Sequence, residues 1–370
     1  MNCLKVAVVL ISGLIFSALV CFCAIVVKSG EDTLVLVHTL FRHGNRVPNS
    51  IPYKNNPISD ESYYMPYGLG QLTNEGKKLE YRLGTTLRKR YDDFLGDTYN
   101  INLLDARTTN SNRTKMSLEL MLAGLWPPKG NQLWEPTLNW QPIPYNYLSN
   151  DKELSGTSVC QNYNVLFDEV ENSTEIQKLL SKYKDLYEYV SKHTGENFVN
   201  RNSLFDLYYD SFAQRDFGYA LESWLETIMP NLEKVTKDRY YIGTNTTALT
   251  KIAGGFLLRK IINDSKAKIE QTLVPEQRKM FIYSAHETNM GYFLRTLGVY
   301  EDKIPAYGCH VLVELHKING IFGFKVFYQD WTTAEPKFLT IPGCATFCPF
   351  DDFVDLLSEV IPTDDDCITS

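Results

Sequence analysis

The sequence predicts an α/β protein in two parts: a mixed, mostly parallel sheet flanked by helices, and a smaller, mostly helical cap inserted into it. Three observations predict this. Three times along the chain a β-rich apolar run ends abruptly in charged and polar residues that open a helical stretch. Between residues 145 and 275 that rhythm gives way to amphipathic helical patterns. After the third run, two further β-rich segments flank an Asn-Gly pair.

The first run, residues 33–41 (TLVLVHTLF), stops at Arg42-His43-Gly44-Asn45-Arg46-Val47-Pro48, so a buried strand delivers a charged loop. Residues 71–76 (QLTNEG) open a helix in which Leu79, Leu83 and Leu87 recur every fourth position, with Thr73 placed as its N-cap. The second run covers residues 100–106. A polar turn at 107–112 follows it, then a helix at 113–125 that Trp126-Pro127-Pro128 stops. Inside the expected cap, 176–193 closes on Gly195, and a second helix, 248–262, is built around Gly254-Gly255. The third run, 279–284 (KMFIYS), leads into Ala285-His286-Glu287-Thr288-Asn289 and another helix. Segments 310–315 and 322–328 then flank Lys317-Ile318-Asn319-Gly320, a hairpin that would add an antiparallel pair. The core is therefore expected at 30–144 and 276–360, and the cap at 145–275.

Residues 1–29 carry Lys5 and an unbroken small and apolar run, 6–27, before Lys28, which reads as a secretory signal peptide. The run is also long enough to span a bilayer, so an uncleaved signal anchor is the alternative. No second span follows in the sequence, and a cleaved chain is expected to be extracellular and free of the membrane. Hydrophobic residues make up 44% of the 370 and charged residues 22%, as in a folded globular protein. The net charge of -7 argues against a nucleic-acid partner.

Three of the eight cysteines, at 3, 21 and 23, lie in the signal segment, leaving 160, 309, 344, 348 and 367. Zinc at Cys344 and Cys348 would need two more ligands nearby and finds none in the sequence, which favours a local disulfide there. Sequons at Asn172, Asn245 and Asn263 fit a glycosylating compartment. A fourth, at Asn112, is expected to stay bare because its neighbour Arg113 should turn into the site.

Ligands of open α/β sheets bind outside the carboxyl ends of the strands, so the loops at 42–46, 107–113 and 286–287 are expected to converge. Three arginines, two histidines and one carboxylate would then share a pocket. Arginine offers forked, permanently charged donors suited to phosphate oxygens, each such bond contributing about 1.5–3 kcal/mol. Phosphoryl transfer needs a nucleophile on one side and a proton donor on the other, with electrostatic stabilisation between them. His43 and Glu287 fill those roles. Arginines would keep the imidazole neutral in acid, and a carboxylic acid donates only while protonated, so activity at acidic pH is expected. There is no Gly-x-Ser-x-Gly elbow and no His-Glu-x-x-His, which sets aside serine hydrolases and zinc proteases.

These segments, with 117–128 (SLELMLAGLWPP) and 342–349 (PGCATFCP), resemble the histidine acid phosphatases, the group that includes prostatic, lysosomal and insect venom acid phosphatases. The likeness covers nearly the whole mature chain. It implies a histidine phosphatase fold and hydrolysis of phosphate monoesters through a phosphohistidine on His43. It further implies Arg42, Arg46, Arg113 and His286 as phosphate ligands, Glu287 as proton donor, no metal or organic cofactor, and a homodimer as a candidate assembly. It suggests disulfides Cys160–Cys367 and Cys344–Cys348 and leaves Cys309 as a buried thiol or an intermolecular bridge. Most members carry Asp where this chain has Glu287. That departure leaves open a retuned enzyme or an inactive phosphate- or receptor-binding relative. The helical cap leaves phytase-like and lysophosphatidate-type specificities open as well, and the destination is extracellular, lysosomal or venom. His38 and His310 read as core histidines, and Arg107 as either a loop support or a structural ion pair.

Overall fold

The computed structural model describes residues 32–368, so the expected signal segment lies outside the described residues. The sheet contains β1 (Asp32–Arg42), β2 (Leu104–Thr108), β3 (Met280–Ala285), β4 (His310–Ile318), β5 (Ile321–Gln329), β6 (Lys337–Leu339) and β7 (Cys348–Pro349). The order is β2-β3-β1-β4-β5-β6, with β7 paired to β5. It is mixed, as expected, but the parallel part is confined to β2-β3-β1, and every other pairing is antiparallel. The expectation of a mostly parallel sheet is corrected to that extent. The reason is local: β4 and β5 form the Asn319-Gly320 hairpin, and β6 and β7 are too short to carry an apolar periodicity of their own.

The helices that position the site are α1 (Asn74–Arg90), α2 (Asn112–Leu125), α3 (Lys152–Val159), α4 (Arg201–Asp216), α5 (Ser223–Ile242), α6 (Phe256–Ile269) and α7 (Glu287–Thr296). Side chains alternate across β1 with the period of a strand. Leu36 and Leu40 join one apolar cluster with Val311, Val313 and, from α6, Leu258 and Ile261. Val37 and Phe41 face the other, with Leu83 and Leu87 of α1 and Leu118 and Leu122 of α2. Covered on both faces, β1 and β3 can be continuously apolar, which is why they read so clearly in sequence. Helices α4 and α5 pack through Leu204, Leu207, Leu225 and Leu232 into a separate cluster.

Disulfides join Cys160 to Cys367 and Cys344 to Cys348, matching both suggested pairs, and Cys309 is a buried free thiol. Where one helix was expected at 248–262, a π-helical turn at Lys251–Gly255 interrupts it ahead of α6.

Candidate active site

The site begins where β1 ends. The His43 amide donates to the Ala285 carbonyl at 3.0 Å, so the loop after β1 is hung on the end of β3. A β-carbon at Gly44 would come within 2.5 Å of the Gly76 carbonyl, and one at Gly76 within 2.2 Å of the Asn45 carbonyl. Two bare backbones thus touch, which is what Gly44 and Gly76 supply and why the His43 loop can rest against the start of α1. Thr73 caps that helix, its side chain accepting from the Gly76 amide.

Two other strand ends complete the set. From β2 the chain turns into α2, whose second residue is Arg113. From β3 it passes to His286, the N-cap of α7, where Asn289 Oδ1 accepts from the His286 amide at 3.1 Å. Glu287 is then the first residue of the helix. The convergence expected at the carboxyl edge of the parallel strands is present: His43, Arg46, Arg113, His286 and Glu287 line one cavity of about 210 Å³, and Arg42 lies directly behind it.

The hydrogen bonds fix both imidazoles. His43 Nδ1 is 2.8 Å from the Gly44 carbonyl, which can only accept, so Nδ1 carries the proton. Nε2 therefore presents its lone pair, and Arg113 Nε donates to it at 3.2 Å. His286 Nδ1 lies 3.4 Å from Arg113 Nη2, and its Nε2 is 2.9 Å from Thr109 Oγ1. With Arg113 as an obligate donor, His286 also turns a lone pair toward the cavity and gives its proton to Thr109.

Burial, then the Arg113 and Arg42 guanidiniums, hold His43 well below its ordinary value of 6.5. The same causes push His286 down to about 4. Burial raises the Glu287 carboxyl, but Arg42 and His286 outweigh it and leave it below its usual range. Its Oε2 is 3.9 Å from Arg42 Nε. Arg42 gives Nη1 to the Pro305 carbonyl at 2.6 Å, while its buried Nε and Nη2 have no hydrogen-bond partner among the described residues. His43, His286 and Glu287 offer ligand atoms within 4.8 Å of one another, a spacing a metal could use. Arg113 lies against His43 Nε2, however, and the surrounding guanidiniums set the local charge for an anion.

The structure also supplies residues that carried no sequence signal. Asp210 of α4, buried at 2% exposure, accepts from Arg46 Nη1 at 3.2 Å, from the Asn49 amide at 2.8 Å and from Ser50 Oγ at 2.7 Å. It ties the Arg46 loop to the cap. Arg239 of α5, stacked 4.0 Å over Phe205, adds a third guanidinium to the cavity wall beside those of Arg46 and Arg113. Tyr307 covers Arg42 at 4.0 Å. Nothing in an amphipathic helical pattern distinguishes such residues from surface polar positions. Arg107, left open in sequence, stands apart from the cavity between Asp151 and Glu153, at 3.5 and 3.4 Å.

An arginine-rich cavity around two uncharged imidazoles, at the edge of a mixed α/β sheet and beneath a helical cap, has the charge and donor set of a phosphate-handling α/β protein. The family model described as "Histidine phosphatase superfamily (branch 2)" matches residues 33–329. The chain belongs to that family, whose members are hydrolases of phosphate monoesters. It is 34% identical to a venom acid phosphatase of Apis mellifera, over 91% of this chain and 88% of that protein. It is 33% identical to human prostatic acid phosphatase over 91% and 88%, and 31% identical to human lysosomal acid phosphatase over 90% and 79%. Among solved structures, the apo phytase of Hafnia alvei superposes with a TM-score of 0.68 at 17% identity, covering 92% of this chain and 99% of that one, a likeness of fold.

Proposed function

We propose that the protein is an acid phosphatase whose nucleophile is His43. Its Nε2 attacks phosphorus in line as the ester P–O bond breaks, forming a phosphohistidine. Arg42, Arg46, Arg113 and His286 hold the phosphoryl oxygens, and Glu287 gives its proton to the departing alkoxide. Water then attacks the phosphohistidine, returning its proton to the Glu287 carboxylate and releasing inorganic phosphate. The tautomer of His43 carries this reading: with Nδ1–H committed to the Gly44 carbonyl, the lone pair that must attack faces the arginines.

In the free protein Glu287 is held ionised by Arg42. An incoming phosphate draws Arg42 to itself and adds negative charge beside Glu287, which raises the carboxyl and readies it to donate. His286 needs a proton before it can donate to a phosphate oxygen, and the same anion favours it. Both groups work protonated, so the rate falls as pH rises, while His43, held well below 6.5, stays a nucleophile far into acid. Release of phosphate from an aryl phosphate, followed against pH, should peak in acid and fall by roughly 10⁴-fold or more in His43→Ala. A His43→Ala variant that keeps its activity would overturn the assignment.

Secretion, or lysosomal delivery, remains part of the proposal, supported by the two disulfides and by exposed sequon asparagines at 172 and 263. A homodimer is supported by Trp134 and Trp140, an edge-packed pair 58% and 39% exposed on the segment after α2.

A further inference from the structure

On the far side of Arg42 and Tyr307 lies a second, larger cavity of about 570 Å³, within the roughly 300–1,000 Å³ of small-molecule sites. Its walls are aromatic: Tyr208 and Phe212 come from α4, Tyr300 and Tyr307 from the chain between α7 and β4, and Tyr328 and Trp331 from the end of β5 and just beyond. Its rim is acidic. Asp216, Glu233, Glu301 and Asp330 line it, against one exposed cation, Lys303, whose ammonium is already 2.9 Å from Glu301.

Two features show that the walls are set. Tyr307 is 7% exposed, its ring held between the Arg42 guanidinium at 4.0 Å and the Phe212 ring at 6.0 Å. Trp331 is held at φ 65°, a backbone conformation that bulky side chains seldom adopt. Its amide donates to Gln329 Oε1 and its indole N–H to the Gly308 carbonyl, both at 2.9 Å, so the ring is fixed in place.

Outside the lining, the Arg82 guanidinium lies 4.7 Å from the Trp331 ring and that of Arg215 5.6 Å from the Phe212 ring; among the lining residues the like charge at the floor is Arg42. Its guanidinium is covered by the Tyr307 ring at 4.0 Å, bound to the Pro305 carbonyl and balanced by Glu287 at 3.9 Å. The two cavities therefore share a wall and differ in lining: three guanidiniums stand among Asp206, Asp210 and Glu287 in the first, whereas ring faces and four carboxylates dominate the second. Aromatic faces under a carboxylate rim are the means by which proteins recognise organic cations. We propose that this cavity is a second ligand site that takes a small organic ammonium. Its aryl or alkyl body lies between the rings and its charged nitrogen sits at the Glu233 and Asp330 rim.

The test is a calorimetric and tryptophan-fluorescence titration of the intact protein with 2-phenylethylammonium, in saturating inorganic phosphate, with 2-phenylethanol as the uncharged isostere. Saturable binding in the presence of phosphate is expected, at least about tenfold tighter for the amine than for the alcohol. Combining Glu233→Gln with Asp330→Asn should weaken the amine about tenfold and leave phosphatase activity and the thermal midpoint unchanged. Trp331→Phe should remove the fluorescence change. Absence of saturable binding, equal affinity for the two probes, or displacement of the amine by phosphate would each overturn the proposal.

Discussion

Arg107, near the end of β2, and Arg113, in the first turn of the helix that follows it, are both largely buried and have opposite fates. Arg107 stands between Asp151 and Glu153, and although burial opposes its charge, those carboxylates raise its pKa. Arg113 has no carboxylate within ion-pairing distance among the described residues; burial, then Arg46, pushes it down to about 10. Its hydrogen bonds go instead to His43, His286 and Asn49. Burial does not separate the two. What separates them is whether the positive charge is already matched, which makes one guanidinium a brace and leaves the other calling for an anion.

The largest effect that would sharpen this contrast is on stability. Arg107→Leu leaves Asp151 and Glu153 facing each other in a buried site, and should lower the unfolding free energy in urea by about 3–5 kcal/mol, with turnover per folded molecule nearly unchanged. A stable but inactive Arg107→Leu would break the comparison. Arg113→Ala should do the reverse: kcat falls about 10²–10³-fold, about 2.7–4 kcal/mol, without loss of stability. With one of the charges that depress it removed, the His43 imidazole should also titrate higher by NMR. The smallest effect is on ligand linkage. Inorganic phosphate at a hundredfold over its Kd should stabilise the protein by about 2.7 kcal/mol. Most of that gain should vanish in Arg113→Ala and persist in Arg107→Leu, and equal loss in both variants would contradict the distinction.

The same contrast marks what the sequence could reveal. Arg42, His43 and Arg46 stand together where an apolar strand stops, and His286 and Glu287 where another stops, so strand periodicity alone aims them at one edge of the sheet. Arg107 was ambiguous because its role depends on Asp151 and Glu153, which reach it from the start of α3. It also lies inside β2, Leu104–Thr108, and not in the turn expected after 106, because the strand begins later than its apolar letters. Asp210 and Arg239 were illegible for a related reason. A polar residue on an amphipathic helix looks solvent-facing until the helix is docked, and docking is set by contacts distant in sequence. The edge strands β6 and β7 have too few residues to carry a pattern. Glu287 was legible as a carboxylate at a strand end, but its coupling to Arg42 appears only in the fold.

The most direct test is to trap the intermediate. The protein is mixed with a phosphate ester labelled on phosphorus, quenched in base within one turnover, and the label mapped by peptide. The proposed mechanism predicts an acid-labile phosphoryl group on His43, absent from His43→Ala. Steady turnover with no label on His43, or label that survives in His43→Ala, would contradict it.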